Sequence, residues 1–292
     1  MITSSIVLYK NSLEECHTIL DCLLAAPVEK IYLVDHSGDD RLSVLKEYST
    51  RVEYIPHENL GYGSGHNVAF KKVYCVNPNG FHIVLNTDIV FEKDSIDTLL
   101  SFMVANPSIG CCMPRILNTN KTDQRLCKYL PTPLDLFFRR FFPKFISRKF
   151  SNQLCMRECN FQQILSVPWL SGAFMFLRVS AIKAVNGFDE RFFLYAEDID
   201  FSRRIHQHFE TVYYPHCSII HAHQAASYHS LRMTLLHIHS VIQYFNKWGW
   251  VFDKERKMIN ERSRQKNLSG SICQLCKDNT ETTNAGKSTA TN

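Results

Sequence analysis

Three carboxylates, Glu197, Asp198 and Asp200, lie within four residues of one another, directly behind an aromatic-rich stretch at 188–195. Like charges that are close together and partly shielded from water raise at least one pKa, which is the condition that a general base needs near neutral pH. The alternative is structural, because the same residues would form an acidic first turn that complements the dipole of a helix beginning near Glu197. The cluster by itself is compatible with both interpretations.

A second polar group follows the apolar run at 81–85, where Asn86 and Asp88 flank a threonine. A carboxylate at the carboxyl end of a strand can hold a divalent cation beside a diphosphate, although a turn or a helix cap uses the same residue types. Downstream, His221 and His223 are two residues apart in an extended run, so both side chains project from the same face of a strand. Together with the carboxylates they could complete a metal site, or they could be structural histidines.

A glycine-rich stretch, NLGYGSGHN at 59–67, opens an amphipathic run. Glycines allow the backbone to approach a ligand closely, and a helix N-terminus favours an anion, whereas the structural alternative is a flexible turn. The spacing is G-x-G-x-G after the third predicted strand, and the turn after the first strand has no glycine. The stretch therefore fits a dinucleotide-binding fingerprint poorly.

The elements that must position these groups alternate regularly over the first 120 residues. Repeated β-α-β alternation predicts a mainly parallel sheet with helices on both faces, and ligands bind beyond the carboxyl ends of such strands. The predicted strands cover 4–8, 30–34, 52–55, 81–85 and 109–117, and the predicted helices cover 13–24, 41–48, 66–76 and 94–104. The polar residues that directly follow strands, and that we expect at the site, are Asp35, 57–59 and 86–88.

The second half of the chain has a less regular pattern, and the alternation is lost between 119 and 166. Apolar residues then recur at helical spacing between 231 and 248, which predicts an amphipathic helix at the end of the folded region. After about residue 266 the sequence is polar, which predicts a disordered tail over 266–292. Between these, we expect strands at 167–179, a short helix at 180–185, a helix at 198–208 and an extended run at 212–223.

Composition limits the class of protein. The chain has 292 residues, of which 45% are hydrophobic and 21% charged, so it can bury a sizeable core as one large domain or two modest ones. A net charge of +5 does not by itself imply a nucleic-acid partner. The eleven cysteines lie mostly in apolar segments and lack the spacing of a secreted framework, and neither a signal peptide nor a membrane span is visible. We therefore expect a cytoplasmic protein.

One segment concentrates the positive charge. The stretch FFRRFFPKFISRKF at 137–150 has five basic residues and no acidic residue. It could lie in a lipid headgroup interface with its phenylalanines inward, or it could be a lid with a solvated basic face. The sequence favours the membrane surface. The basic residues that would face phosphates are Arg139, Arg140, Lys144, Arg148 and Lys149.

In this order, the motifs resemble those of family 2 glycosyltransferases with the GT-A fold, and especially the bacterial rhamnosyltransferase-like branch that builds O-antigen and related polysaccharides. The likeness extends from residue 6 to about residue 250. The segment at 187–204 is highly characteristic. The matching segments are VDHSGDD at 34–40, NLGYGSGHN at 59–67, LNTD at 85–88, WLSGAFMFLR at 169–178 and GFDERFFLYAEDIDFSRR at 187–204.

The resemblance implies a fold and a domain organisation. It predicts one GT-A domain over 1–265, with a Rossmann-like half at 1–118 that binds the nucleotide sugar and an acceptor half at 119–265. It also assigns residues on the donor side. Asp88, with Asn86, corresponds to the motif that binds Mg²⁺ or Mn²⁺ on the nucleotide diphosphate, and His221 can join the metal or the diphosphate. The residues that correspond to the nucleoside and donor loop are Asp35, Asn59, Gly61, Gly63 and Asn67.

On the acceptor side, the resemblance makes Asp198 the base that deprotonates the acceptor hydroxyl. Glu197 and Asp200 would then tune this base, position the acceptor or cap the helix. Trp169, Gly172 and Ala173 correspond to the acceptor-side wall.

Two positions depart from the family pattern. The metal motif reads Asn-Thr-Asp and so supplies one carboxylate where two are often found, although asparagine is common there in this branch. His36 stands where an aspartate or asparagine usually follows Asp35, which leaves the choice of nucleobase open.

The implied reaction is inverting transfer of a sugar, with rhamnose from dTDP-rhamnose as the first choice and a UDP-hexose as the alternative. The implied acceptor is a polyprenyl-diphosphate-linked saccharide at the inner face of the cell membrane. A sugar nucleotidyltransferase would need a glycine-rich basic loop after the first strand, and residues 9–12 are not one. A non-catalytic, membrane-associated assembly protein with the same fold is the remaining alternative.

Overall fold

The computed structural model describes residues 1–141, 154–222, 231–270 and Ile272. The basic stretch beyond Phe141, His223 and the predicted tail beyond Gly270 lie outside these residues, apart from Ile272. The strands are β1 (Ile2–Leu8), β2 (Lys30–Asp35), β3 (Val52–Pro56), β4 (Phe81–Leu85), β5 (Ile89–Val90), β6 (Ile109–Leu117), β7 (Leu165–Ser166), β8 (Phe174–Arg178) and β9 (Glu210–His221). The α-helices are α1 (Leu13–Ala25), α2 (Tyr62–Val76), α3 (Lys93–Ala105), α4 (Pro133–Phe141), α5 (Val179–Ala184), α6 (Glu197–His206), α7 (Leu231–Trp248) and α8 (Lys254–Ser269).

The nine described strands form one sheet in the order β3-β2-β1-β4-β8-β6-β9-β5, and β7 pairs with β9. The first four strands in this order are parallel, so their carboxyl ends lie at one edge. At that edge Asp35 is in register with Leu8 on one side and with Pro56 on the other. The predicted α/β architecture, with its mainly parallel sheet, is confirmed.

Helices cover both faces of this sheet because the side chains of each strand alternate between faces. On β2, Ile31 and Leu33 join the large core cluster that includes α1 and α3, whereas Tyr32 and Val34 join the cluster that includes α2. The first helix begins at a capping box, in which Ser12 and Glu15 exchange hydrogen bonds. These capping residues set the start of α1.

The remaining strands pair in both parallel and antiparallel directions, and they bring distant segments to the same edge of the sheet. Strand β8 is antiparallel to β4, with Leu85 opposite Phe174. The two-residue strand β5 is antiparallel to β9, with Ile89 opposite His221. This last pairing places His221 beside the turn that contains Asp88.

Several predicted boundaries need correction. The predicted helix at 41–48 is a short 3-10 helix, Ser43–Glu47, and the helix predicted from residue 66 begins at Tyr62. The extended run predicted at 167–179 contains only β8, and the residues before it form a loop against α6.

The C-terminal region also differs from the prediction. Helix α7 is followed by α8, which starts at the capping residue Asp253 and extends to Ser269, so the predicted boundary at 265 falls inside a helix. Helix α7 buries Tyr244 and Phe245 in a second core cluster that includes residues of α6, while Leu231 and Leu235 are exposed. Among the described residues, no helix combines the length and the apolar character needed to cross a bilayer.

Candidate active site

The segment before α6 has an unusual backbone. Tyr195 and Ala196 both have positive φ angles, 70° and 62°, in the left-handed region that residues other than glycine seldom adopt. Such strain persists only where surrounding contacts enforce it, and it often occurs at functional sites. The turn ends at Glu197, so it sets the direction in which the first carboxylates of α6 project.

Asp198, the predicted base, accepts three hydrogen bonds from N–H groups. Trp169 Nε1 and the Gly172 backbone N–H donate to Oδ2 at 3.1 and 3.3 Å, and the Ile199 N–H donates to Oδ1 at 2.8 Å. A Cβ atom on Gly172 would lie 3.4 Å from Cβ of Asp198, so the loop passes close to the carboxylate. These contacts fix the orientation of the carboxylate toward the predicted acceptor-side wall.

Glu197 is the member of the cluster with the perturbed pKa. Its side chain is 7% exposed, and Oε2 has no hydrogen-bond partner among the described residues. Burial, and secondarily the negative charge of Asp198, raises the pKa of Glu197 to about 8. The protonated form of the Glu197 carboxyl group is therefore favoured, as expected for one member of a buried pair of like charges.

Asp200 has a different environment and faces the C-terminal helices. It is fully buried, accepts a hydrogen bond of 2.8 Å from Trp248 Nε1, and forms ion pairs with Arg204 and Lys247 at 2.7 and 2.5 Å. Residues two apart on a helix do not share a face, which explains why Asp198 and Asp200 diverge. The contacts of Asp200 are those of a structural ion-pair network, and its grouping with the catalytic residues stays a prediction.

On the donor side, Asp35 is 2% exposed at the end of β2. One carboxylate oxygen accepts from the Ser37 N–H at 2.8 Å, and the other accepts from the Tyr54 hydroxyl at 2.6 Å. The next residue, His36, is 4% exposed, and burial, together with the nearby His57, lowers its pKa. A neutral imidazole thus stands at the position where the family usually has a polar aspartate or asparagine.

The glycine-rich stretch contacts protein rather than an open cleft. Gly61 has a φ of 107°, and a Cβ atom there would lie 2.3 Å from the Phe193 carbonyl oxygen. A Cβ atom on Gly63 would lie 2.8 Å from Cβ of Phe188. These two glycines are therefore required for the close packing of α2 against the segment before α6. The Asn59 side chain accepts from the Gly61 N–H at 3.3 Å.

Asn67 also differs from the expected donor contact. Its Nδ2 donates to the Phe188 carbonyl and to Glu190 Oε1 at 2.9 and 3.0 Å, and its Oδ1 accepts from the Phe188 N–H at 2.8 Å. The side-chain amide is thus used to hold the segment that leads to the carboxylates. The assignment of Asn67 to donor binding stays a prediction.

Asp88 and His221 face each other, with Oδ2 and Nε2 3.2 Å apart. The other ring nitrogen, Nδ1, lies 3.2 Å from Gln124 Oε1, while Gln124 Nε2 donates to the His221 carbonyl at 2.9 Å. Because Gln124 therefore presents its oxygen to the ring, Nδ1 carries the proton, and in the neutral ring Nε2 has a lone pair directed at Asp88. Two facing acceptors are stable when a cation or a proton lies between them.

Tyr62 is a central residue that the sequence did not reveal. Its hydroxyl contacts the Gly172 carbonyl at 2.8 Å and the Asn86 side chain at 3.2 Å. Burial, and then the charges of Glu197, Asp198 and Asp88, raises its pKa well above the usual value. The half-buried phenol of Tyr62 therefore lies between Asp88 on the donor side and the carboxylates of Glu197 and Asp198 on the acceptor side. Its position among the glycines at 61–65 was a signal that could have identified it.

The residues that the resemblance assigns to the acceptor-side wall lie next to the Asp198 carboxylate. Trp169 and Ala173 are each 7% exposed, and the Ala173 carbonyl accepts from the Asn86 N–H at 3.1 Å. Lys128 Nζ lies 4.1 Å from the centre of the Trp169 ring, a cation–π contact. Strand-end residues of the first half and loop residues of the second half thus converge on one site.

Comparison with known proteins identifies the family. The model of glycosyltransferase-like family 2 matches residues 6–235. The chain belongs to this family. Among its relatives is the N-acetylglucosaminyl-diphospho-decaprenol L-rhamnosyltransferase of Mycobacterium tuberculosis, 27% identical over 210 residues that cover 69% of this chain and 68% of the relative. The rhamnosyltransferase WbbL of Escherichia coli K12 is 25% identical over 181 residues, which are 60% and 66% of the two chains.

Solved structures of glycosyltransferases share the fold. The mannosyltransferase PcManGT from Pyrobaculum calidifontis, solved with GDP-mannose and Mn²⁺, superposes with a TM-score of 0.57 at 12% identity over 98% of this chain and 76% of that one. Staphylococcus aureus TarS in complex with UDP has a TM-score of 0.54 at 16% identity over 92% and 72% of the two chains. The family and its relatives show that this protein is a glycosyltransferase.

Proposed function

We propose that this glycosyltransferase inverts configuration at the transferred sugar and that Asp198 is its general base. The observation that carries the proposal is that three N–H groups donate hydrogen bonds to the Asp198 carboxylate. They fix its orientation beside Gly172 and Tyr62. Burial raises the pKa of the neighbouring Glu197, which favours its protonated form and makes it a weaker competitor for the acceptor proton. A positioned base of this kind typically contributes about 10²–10⁴-fold to the rate.

The proposed step exchanges two bonds and moves one proton. The acceptor oxygen forms a bond to the anomeric carbon on the face opposite the leaving group, while the bond from that carbon to the diphosphate oxygen breaks. The hydroxyl proton passes to Asp198, and the electron pair of the broken bond stays on the diphosphate. A single displacement needs no covalent intermediate with the protein, and it inverts the anomeric configuration.

The donor-side residues fit a divalent cation. Asp88 offers a carboxylate and His221 a ring nitrogen whose lone pair faces it, an arrangement that Gln124 fixes from the other side of the ring. Within the described residues no three His, Cys, Asp or Glu side chains surround a common metal position. Phosphate oxygens and water would therefore complete the coordination of Mg²⁺ or Mn²⁺, which commonly bind through one or two protein ligands. When bound, the cation supplies positive charge to the leaving diphosphate.

The names of the relatives guide the choice of substrates. Two of them are rhamnosyltransferases, and one acts on an N-acetylglucosaminyl-diphospho-decaprenol. We therefore propose rhamnose from dTDP-rhamnose as the transferred sugar and a polyprenyl-diphosphate-linked saccharide as the acceptor. Asp35, with His36 beside it, would contact the nucleoside, because ligands of such sheets bind beyond the strand ends.

A lipid-linked acceptor requires the enzyme to reach a membrane surface, and we propose peripheral association with the inner face. At the start of the basic segment, α4 exposes Leu134 by 59% and Phe137 by 50%. Apolar groups flanked by basic residues suit a headgroup interface. Flotation with anionic vesicles tests this placement. Equal flotation after Arg139 and Arg140 are both changed to Glu would count against it.

The decisive experiment is a donor screen with product detection, using dTDP-rhamnose beside UDP- and GDP-sugars and an N-acetylglucosaminyl-diphospho-polyprenol acceptor. We expect transfer from dTDP-rhamnose by the wild-type enzyme. Asp198→Asn should abolish transfer while donor affinity stays within a few-fold. Near-normal turnover by this variant would remove Asp198 from the role of base, and transfer only from another sugar nucleotide would reject the rhamnosyl donor.

A further inference from the structure

Tyr62 contacts three of the segments that surround the candidate site. Its backbone N–H donates to the Phe193 carbonyl at 2.9 Å, and its ring packs edge-on against His66 with the ring centres 4.5 Å apart. The hydroxyl then reaches two further segments, at the Gly172 carbonyl (2.8 Å) and at the Asn86 side-chain amide (3.2 Å). Because the backbone and the ring are held from one side, the hydroxyl is a fixed point between the other two segments.

The hydroxyl has one proton for these two neighbours. A backbone carbonyl can only accept, so the shorter contact, to Gly172, takes the proton. At its second contact the Tyr62 oxygen must therefore accept, and the Asn86 amide must donate. The contacting amide atom is placed as Oδ1, but the two ends of an amide exchange by a half turn about the last side-chain bond, and the hydrogen bonds decide between them.

We propose that Tyr62 is a positioning residue for the donor-side cation: by accepting a hydrogen bond from Nδ2 of Asn86, it directs Oδ1 of Asn86 toward the cation and its diphosphate. This inference rests on the proposed function, because it requires a nucleotide diphosphate beside Asp88. The Asn86 backbone is already anchored, since its N–H donates to the Ala173 carbonyl at 3.1 Å. The side-chain amide can then still adopt two orientations, and the hydrogen bond with Tyr62 selects one of them.

A positioning role for Tyr62 explains how a metal motif that begins with asparagine can hold a cation. A carboxylate offers an oxygen at either end and needs no partner to orient it. An amide offers an oxygen at one end and N–H donors at the other, and only the oxygen is a ligand for Mg²⁺ or Mn²⁺. A motif that begins with Asn86 instead of a carboxylate therefore depends on a neighbour that fixes the amide.

The test is a double-mutant cycle on Mn²⁺ binding in the presence of dTDP, measured by the loss of the electron paramagnetic resonance signal of free Mn²⁺. Tyr62→Phe keeps the ring and removes the hydroxyl, so we expect about a ten-fold loss of Mn²⁺ affinity, within the range for partners of metal ligands. Asn86→Asp should bind Mn²⁺ at least as tightly as wild type. In the Asn86→Asp background, Tyr62→Phe should have no effect, because both ends of the side chain are then oxygens.

The matched control is Tyr74→Phe, which removes a hydroxyl from the same helix about 18 Å farther along its axis. Unchanged Mn²⁺ affinity in Tyr62→Phe, or an equal loss in both backgrounds, would overturn the inference. If Tyr62→Phe does not fold, Asn86→Asp alone decides, because weaker binding than wild type contradicts an oxygen ligand at this position. If the wild-type enzyme binds no Mn²⁺ with dTDP, UDP or GDP, the metal-dependent function itself fails, which is a distinguishable result.

Discussion

Trp169 Nε1 donates a hydrogen bond of 3.1 Å to Oδ2 of Asp198, and this contact joins the loop before β8 to the first turn of α6. The same oxygen accepts from the Gly172 N–H, so two of the three donors to Asp198 come from that loop. Trp169 is in turn held by Lys128, which lies over its ring. The orientation of the proposed base is therefore set by residues outside its own helix.

We expect Trp169→Phe to lower kcat by about 10- to 100-fold with little change in the KM for the donor. The substitution keeps an aromatic ring in the core but removes one hydrogen bond to a charged group, which is typically worth about 1.5–3 kcal/mol. Steady-state kinetics with the donor and the lipid-linked acceptor measure the effect.

The matched control for this prediction is Trp250→Phe, because Trp250 Nε1 donates to Asn246 at 2.9 Å on the exposed surface. That variant should keep the wild-type kcat. A normal kcat in Trp169→Phe would show that the indole hydrogen bond does not orient the base.

Glu197 should make the stability of the protein depend on pH. Its pKa is raised from 4.5 to about 8 in the folded protein, so the folded state holds a proton that the unfolded state has lost over this interval. The stabilising contribution is complete below about pH 4.5 and is lost as the pH rises through about 8. Each unit of pKa difference corresponds to about 1.4 kcal/mol. We expect the free energy of unfolding, from urea titrations, to fall between pH 5 and pH 9.

Glu197→Gln should flatten this profile, since an amide does not titrate, and it should stabilise the protein most at the alkaline end. The exposed Glu47, changed to Gln in the same way, serves as the control and should leave the slope unchanged. Parallel profiles for wild type and Glu197→Gln would mean that Glu197 is not the group that titrates.

The strand-end part of the site was predictable from the sequence for a physical reason. Alternating β and α runs force parallel strands, and parallel strands collect their carboxyl ends at one edge. Asp35 and Asp88 were therefore expected at the same edge of the sheet, and both follow strands that end there. The raised pKa in the carboxylate cluster was also predictable, because it follows from like charges under burial, although the cluster alone did not indicate that Glu197 would be the affected residue.

The rest depended on tertiary packing that residue types do not encode. Gly61 and Asn67 look like ligand-binding residues in the sequence, but the segment before α6 packs onto them. Gln124 lies in the irregular stretch at 119–166, where no local pattern singled it out. The separation of Asp200 from Asp198, in contrast, could have been foreseen, because residues two apart on a helix point in different directions.

Gln124→Ala should lower the affinity of the enzyme for its metal, although Gln124 is not itself a proposed metal ligand. Gln124 fixes the His221 ring through Nδ1 and contacts its backbone carbonyl, and removing such a partner typically lowers metal affinity by about 10- to 100-fold. We expect a higher Mn²⁺ concentration for half-maximal activity, with kcat largely recovered at saturation. Gln163→Ala, at an exposed position, is the control. An unchanged Mn²⁺ requirement would separate His221 from the metal.

Asp200→Asn should destabilise the protein far more than it slows the reaction. Asp200 is fully buried and forms ion pairs with Lys247 and Arg204, so the change leaves two partly buried cations without their shared carboxylate. Breaking a buried pair on one side typically costs about 3–5 kcal/mol. Urea unfolding should show this loss, while kcat per folded molecule stays within a few-fold of wild type, because the contacts of Asp200 lead to α7 and not to Asp198. The exposed Asp39, changed to Asn, should alter neither quantity. A stable Asp200→Asn enzyme with a severely reduced kcat would return Asp200 to the catalytic group, since only a direct contact with the reacting groups would explain that combination.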